Sequence, residues 1–113
     1  MNKSRATGRT FRMLLRVMLK LSEGNDVIIT ADTYFYSREL SQQLMSLDPD
    51  SQLFTGWTNS GDVLTLMFVN GKTVKFMSHD KWSKLRGVNF TSFVTFSDHY
   101  NSKNDRRLNN QGE

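Results

Sequence analysis

The residues with the clearest potential for chemistry lie near the start of the chain, where Gly8, Arg9 and Thr10 precede the apolar run "FRMLLRVMLKL". A glycine, a basic residue and a threonine before a helix are typical of the end of a phosphate-binding loop. Backbone N–H groups at a helix N-terminus favour an anion, and a basic side chain there can reach terminal phosphates. So short a motif is also compatible with a chance tripeptide before a core helix.

Other chemistry-bearing residues do not form a pattern. The chain has no cysteine, which excludes disulfides and thiolate metal sites. Its two histidines, His79 and His99, stand far apart without a patterned set of ligands, which argues against a metal enzyme. No Ser-His-Asp arrangement or convincing carboxylate pair is present, so the sequence predicts no catalytic residue.

Basic and aromatic residues suggest a different kind of contact. Arg12, Arg16 and Lys20 recur every four residues and form one stripe of a helix. The stripe could follow a nucleic-acid backbone, although a solvated helix face is its commoner meaning. Trp57, Trp82 and the aromatic cluster of Tyr34, Phe35 and Tyr36 could stack on bases, with packing as the commoner alternative. The net charge of +4 permits nucleic-acid binding without requiring it.

Length and composition predict a single domain. A chain of 113 residues has no room for a second independent core. We expect the domain to span residues 1–100, and a polar tail over 101–113, with Leu108 as its one apolar residue, to be disordered. The run that begins at Phe11 is interrupted by charges and fits neither a membrane span nor a signal peptide, so a cytoplasmic protein is expected.

The first half of the chain reads as helix, strand, helix. Apolar residues at three- and four-residue spacing predict a helix from about Arg9 to Glu23, ended by Gly24. The continuous β-branched run at 26–31 predicts a buried, parallel strand. A second helix is expected over 34–47, capped by Asp32 or Thr33. This order predicts an α/β sheet.

The second half predicts a hairpin, a short helix and a last strand. Asn70-Gly71 lies between two β-rich runs and is a strong hairpin signal. A short helix should follow, capped by Ser78 or Asp80 and ended by Gly87. The run "TSFVTFSDHY" then predicts another strand, which ends in Asp98-His99-Tyr100.

These features, in this order, resemble the RecA-like ATPase core of P-loop NTPases, especially phage terminase large subunits and helicase-like proteins. The resemblance rests on "GRT-RML", the strand and second helix, "VNGKTVKFMS", and "LRGVNFTSFVTFSDH". It implies a small truncated RecA-like sheet flanked by helices, with an inserted β-hairpin.

The resemblance also implies roles for particular residues. Gly8, Arg9 and Thr10 would bind the nucleotide, and Thr10 and Asp98 would hold magnesium, with ATP and Mg²⁺ as the ligands. Arg86, in the turn before the last strand, would face nucleic acid or a partner, as would the basic stripe of Arg12, Arg16 and Lys20.

The sequence departs from the family pattern in ways that bear on catalysis. Lys3 stands where the loop's first glycine is usual, Arg9 replaces the lysine, and His99 stands where a second acid is usual. Arginine favours a bidentate fork over a compact point charge, so the replacement is not conservative. We therefore expect a pseudo-ATPase form without efficient hydrolysis.

A further departure concerns the strand that precedes the loop in the family. Only seven residues stand before Gly8, so we expect that strand to be missing and the last strand to form an open edge. The N-terminal segment, a second copy or a target protein would cover it.

The function that these expectations favour is that of a small phage-type accessory protein in phage DNA metabolism or host takeover, working in the cytoplasm of the infected cell. One alternative is a non-enzymatic interaction module that binds a host or phage protein or nucleic acid, inhibiting or recruiting it. A virion or assembly component is a third.

Overall fold

A five-stranded mixed sheet flanked by helices organises the chain. The computed structural model describes residues 2–85 and 92–98, and for residues 2–7 only the backbone. The elements are α1 (Asn2–Ser22), β1 (Val27–Ala31), α2 (Tyr34–Ser46), β2 (Phe54–Ser60), β3 (Val63–Phe68), β4 (Thr73–Ser78), α3 (His79–Leu85) and β5 (Val94–Asp98). The expected α/β class is confirmed, and the predicted tail over 101–113 lies outside the described residues.

The sheet has a parallel half and an antiparallel half, in the strand order β2-β3-β4-β1-β5. β1 runs parallel to both of its neighbours, β4 and β5, as its sequence predicts. All five of its residues are buried, which explains why it reads as a continuous apolar run. β2, β3 and β4 form an antiparallel meander.

One face of the sheet carries the main core under α1 and α2. Alternate residues of the strands point to this face, among them Val27, Ile29, Val74 and Phe76. They share one cluster with Leu14, Val17 and Leu21 of α1 and with Leu40 and Leu44 of α2. The three-four spacing of the helices therefore meets the two-residue spacing of the strands in a single core.

The predicted helix caps are largely confirmed. The Thr33 hydroxyl accepts a hydrogen bond from the Tyr36 N–H, and the Ser78 hydroxyl accepts one from the Lys81 N–H. At the end of α1, Gly24 has a φ of 95° and its N–H donates to the Leu21 carbonyl. This left-handed residue stops the helix at the predicted position.

The predicted hairpin at Asn70-Gly71 forms, but its geometry and its place in the sheet differ from expectation. Only Gly71 has a positive φ, and the Gly71 N–H donates to the Phe68 carbonyl, as in a three-residue turn with a bulge. The second strand of the hairpin, β4, pairs with β1 in the middle of the sheet. The hairpin is therefore not an insertion outside the parallel core, because β4 belongs to both halves.

Strand β2 was not predicted. Its sequence "FTGWTNS" contains a glycine and shows no clear alternation, because most of its residues are exposed at the sheet's edge. The sequence signal for it was the pair that follows, Gly61-Asp62, because a glycine followed by aspartate is typical of a tight hairpin turn. Both residues have positive φ, at 58° and 64°, and form the turn into β3.

The start of α1 corrects the sequence-based prediction. The helix was expected to begin near Arg9, but it begins at Asn2. Residues 2–7 contain neither proline nor glycine, and Lys3, Arg5 and Ala6 are good helix formers, so the helix extends through Gly8. Gly8, Arg9 and Thr10 therefore do not open a helix in this structure.

Candidate functional site at the carboxyl edge of the sheet

The three parallel strands end together at one edge of the sheet. Ala31, at the end of β1, is in register with Ser78 of β4 and with Asp98 of β5. The residues that follow β1 and β4, Asp32 and His79, therefore lie at the same end of the sheet as Asp98. Ligands of open α/β sheets bind at this carboxyl edge, so it is the natural place to look for a site.

Asp98 is the centre of a polar cluster that joins three elements. Its Oδ2 accepts hydrogen bonds from the Thr10 hydroxyl of α1 and the Tyr36 hydroxyl of α2, each at 3.2 Å. Thr10 is buried because it lies on the core-facing side of α1, four residues before Leu14. The contact brings together two residues separated by 88 positions in sequence, the same two that the resemblance assigns to magnesium.

A second polar pair, Asp32 and His79, directly follows the neighbouring strands β1 and β4. Nε2 of His79 is 3.3 Å from Oδ1 of Asp32, and both side chains are roughly three-quarters buried. The imidazole is charged in this pair only when it is protonated. His79 was expected to belong to a helix start rather than to a site, and it does open α3, but its position also places it at the carboxyl edge.

Gly8 and Arg9 lie in the interior of α1, one turn or less from Thr10. A Cβ built on Gly8 would have no atom within 4 Å, so the packing does not require a glycine there. Because the helix continues to Asn2, the backbone N–H groups near Gly8 do not form the exposed end of a helix. The structure thus brings Thr10 and Asp98 together but does not form an amide cradle beside them.

Only part of the predicted basic stripe on α1 is well exposed to solvent. Arg12 and Arg16 are exposed, whereas Lys20 is half-buried and pairs with Glu23 at 3.6 Å. Arg86 and His99, the other residues singled out from the sequence, lie outside the described residues.

Two residues at this edge were missed by sequence reasoning. Tyr36 was grouped with neighbouring aromatic residues, and Asp32 was considered only as a cap. A usable signal existed for Asp32, because residues directly after a buried parallel strand lie at the ligand-binding edge of the sheet. Tyr36 lies inside α2 and carries no such signal.

The described residues contain neither a metal-binding cluster nor a membrane-spanning helix. Among residues 2–85 and 92–98, no group of three or more histidine or acidic side chains is placed to hold a metal ion. No helix in the described part of the chain has the length and apolar character needed to cross a membrane. Comparison with protein families, curated proteins and solved structures finds no match to this chain.

Proposed function

We propose that this protein binds a nucleoside triphosphate, ATP with Mg²⁺, at the carboxyl edge of a RecA-like sheet and hydrolyses it poorly. As a degenerate P-loop protein it would serve as an accessory factor in phage DNA metabolism or host takeover. The observation that carries the proposal is the hydrogen bond between Thr10 and Asp98. A hydroxyl and a carboxylate are hard oxygen ligands, which Mg²⁺ prefers, and nucleotide sites commonly hold the ion through such a pair.

The location supports the same proposal. Asp98 is the last residue of β5, the outermost strand of the parallel half, which pairs with β1. α1 runs from Thr10 toward the other end of these strands, where β1 begins. Arg9 directly precedes Thr10 on α1, so its backbone lies beside the Thr10–Asp98 pair. A magnesium ion between the pair would leave the triphosphate near this basic residue.

Nucleotide binding places one demand on the chain. An amide cradle for phosphate requires free backbone N–H groups. Inside an α-helix, each N–H already donates a hydrogen bond to the carbonyl of the residue four positions earlier. The first turns of α1, up to Gly8, therefore have to unwind when a triphosphate binds. Gly8 lowers the cost of this change, because a glycine disfavours a helix interior by about 1 kcal/mol relative to alanine.

Isothermal titration calorimetry with ATP and Mg²⁺ tests the proposal. We expect saturable binding that Thr10→Ala and Asp98→Asn each weaken by tenfold or more, since the first removes a magnesium ligand and the second removes the negative charge of the other. Thr58→Ala on the exposed strand β2 is the matched control and should bind as the wild type does. Phosphate release should remain close to the uncatalysed rate.

Failure of the proposal would also be clear. If the folded wild-type protein gives no heat with millimolar ATP and Mg²⁺, or if Thr10→Ala binds as tightly as the wild type, the site is not a nucleotide site. Circular dichroism of each variant confirms that it is folded.

The second candidate is a non-enzymatic interaction module, and a specific observation favours it. Phe11, Leu15 and Leu19 lie along one stripe of α1 and are 45%, 46% and 55% exposed. An apolar stripe of this size on a small protein is typical of a surface that contacts another molecule. The calorimetric experiment separates the two candidates, because this one requires no nucleotide.

A further inference from the structure

A groove between α2 and the edge strand β2 lies apart from the Thr10–Asp98 cluster. It has a volume of about 190 Å³ and is lined by Arg38, Gln42 and Met45 of α2, Trp57 and Asn59 of β2, and Leu64 of β3. We refer to it as the Trp57 groove. Small-molecule pockets usually begin at roughly 300 Å³. The groove therefore suits one ring of a longer ligand better than a whole small molecule.

Trp57 gives the groove a large stacking surface. Its side chain is 60% exposed, although tryptophan is buried in most proteins. The register of β2 with β3 sets Trp57 opposite Leu66 and Asn59 opposite Leu64, so both point to the face that α2 covers in part. An indole held at the rim of a groove can stack on a planar ring that enters from solvent.

Polar contacts hold the surroundings of the ring in place. The Arg38 guanidinium lies 6.0 Å from the centroid of the Tyr34 ring, and the Asn59 amide donates to the Tyr34 hydroxyl. Tyr34 thus links the helix side of the groove to its strand side. Arg38 and Asn59 are positioned before any ligand arrives, which lowers the entropic cost of binding.

The charge of the groove selects the kind of ligand. Arg38 is the only charged side chain among the described residues that line it. At the tip of the same hairpin, Lys81 Nζ lies 3.9 Å from the position that a Cβ on Gly61 would occupy. Asp62, in that turn, is an exposed acid, so Arg38 is the charge that belongs to the groove itself. A phosphate beside a stacked ring complements such a surface.

We propose that the Trp57 groove binds single-stranded nucleic acid, with one base stacked on Trp57 and a neighbouring phosphate paired with Arg38. Gln42 and Asn59 carry amide groups that can hydrogen-bond the edges of a base. Base stacking on an aromatic side chain is tolerant of sequence, so we expect little preference among bases. The inference does not depend on nucleotide binding at Asp98, which uses other residues.

Fluorescence titration tests this inference. The probes are labelled oligothymidylate and oligouridylate of about twelve nucleotides, followed by anisotropy and by quenching of tryptophan emission. We expect both to bind at low salt. Trp57→Ala should weaken binding by about tenfold or more, and Trp57→Phe should retain most of the affinity because a phenyl ring still stacks. The comparison of the two probes shows whether DNA or RNA is preferred.

Matched variants identify the groove as the binding surface. Arg38→Ala should weaken binding and lower the slope of log affinity against log salt by about one, because one phosphate contact is lost. Phe35→Ala removes another aromatic residue of α2, 75% exposed, and should leave affinity unchanged. Arg12→Ala with Arg16→Ala should also have little effect, since these residues lie on α1.

Three results would overturn the inference. The first is unchanged oligonucleotide affinity in both Trp57 variants while they remain folded. The second is loss of binding only in the Arg12 and Arg16 variant, which would place the nucleic acid on α1. The third is absence of oligonucleotide binding at low salt. If an apolar peptide then quenches tryptophan emission in the wild type but not in Trp57→Ala, the groove is a peptide site instead.

Discussion

At the scale of single residues, Asp48 shows how one side chain organises a whole turn. Its carboxylate accepts hydrogen bonds from the backbone N–H groups of Gln52, Leu53 and Phe54, at 2.8 to 3.0 Å. The stretch Asp48-Pro49-Asp50 has the composition of an ordinary turn. The structure shows that Asp48 instead fixes the entry into the unpredicted strand β2, and so supports one wall of the Trp57 groove.

This role predicts a pH dependence of stability. Burial raises the pKa of the Asp48 carboxyl, but the N–H donors of Phe54, Leu53 and Gln52 outweigh it and hold the pKa below its usual value. The carboxylate therefore contributes stability above about pH 4, where the unfolded chain is also ionised, and this contribution is lost as pH falls through the lower folded pKa.

We expect Asp48→Asn to lower the melting temperature by a few degrees at neutral pH and to remove that part of the acid dependence. Thermal unfolding followed by circular dichroism between neutral pH and pH 3 measures both effects. Asp50→Asn, at an exposed position two residues later, is the control and should change neither. Equal melting temperatures for the Asp48 variant and the wild type would contradict the assigned role.

At the scale of elements, the N-terminal turns of α1 connect stability to the proposed function. Gly8 lies inside the helix and has open space where a side chain would stand. Gly8→Ala should therefore stabilise the protein by about 1 kcal/mol. If nucleotide binding requires these turns to unwind, the same variant should bind ATP about fivefold more weakly, because the added helix stability opposes binding.

Chemical denaturation and calorimetry measure the two effects of Gly8→Ala. Gly71→Ala is an informative contrast, since Gly71 has a φ of 89° and an alanine there is strained. That variant should be destabilised. A Gly8 variant no more stable than the wild type would show that the helix does not extend through this residue in solution.

At the scale of the whole molecule, β5 is an edge strand of the described sheet, which agrees with the edge expected from the sequence. The Val94 N–H donates to the Asp26 carbonyl. By the alternation of a parallel ladder, the N–H groups of Thr95 and Ser97 point away from β1. Unpaired edge groups of this kind are usually covered or paired in proteins, and a second copy or a partner protein could supply that cover.

Hydrogen exchange checks this expectation. We expect the amides of Thr95 and Ser97 to exchange quickly in a dilute monomer and to become protected as protein concentration rises or a partner is added. The amide of Phe96, which points to β1, should be protected under all conditions and is the internal control. Protection of Thr95 and Ser97 that does not change with concentration, in a sample shown to be monomeric by light scattering, would contradict cover by a second copy.

The sequence by itself determined the local structure. The cap at Thr33, the stop at Gly24 and the hairpin glycine at Gly71 depend on backbone conformations that neighbouring residues decide. The burial of β1 and the core face of α2 follow from periodicity, because each element has to bury its apolar side. The core face of α1 was only partly predicted, since Phe11, Leu15 and Leu19 were expected to be buried and are exposed. For the same reason, β2 could not be read easily: an exposed edge strand buries little and leaves a weak pattern.

Only the tertiary structure decided which distant residues meet. The pairing of β4 with β1, the Thr10–Asp98 contact and the Trp57 groove all join segments that are far apart in the chain. Strand order and register are set by how the whole core packs, which local propensity does not encode. The start of α1 was also misjudged, since a glycine costs a helix only about 1 kcal/mol. Good helix formers on its N-terminal side can offset that cost.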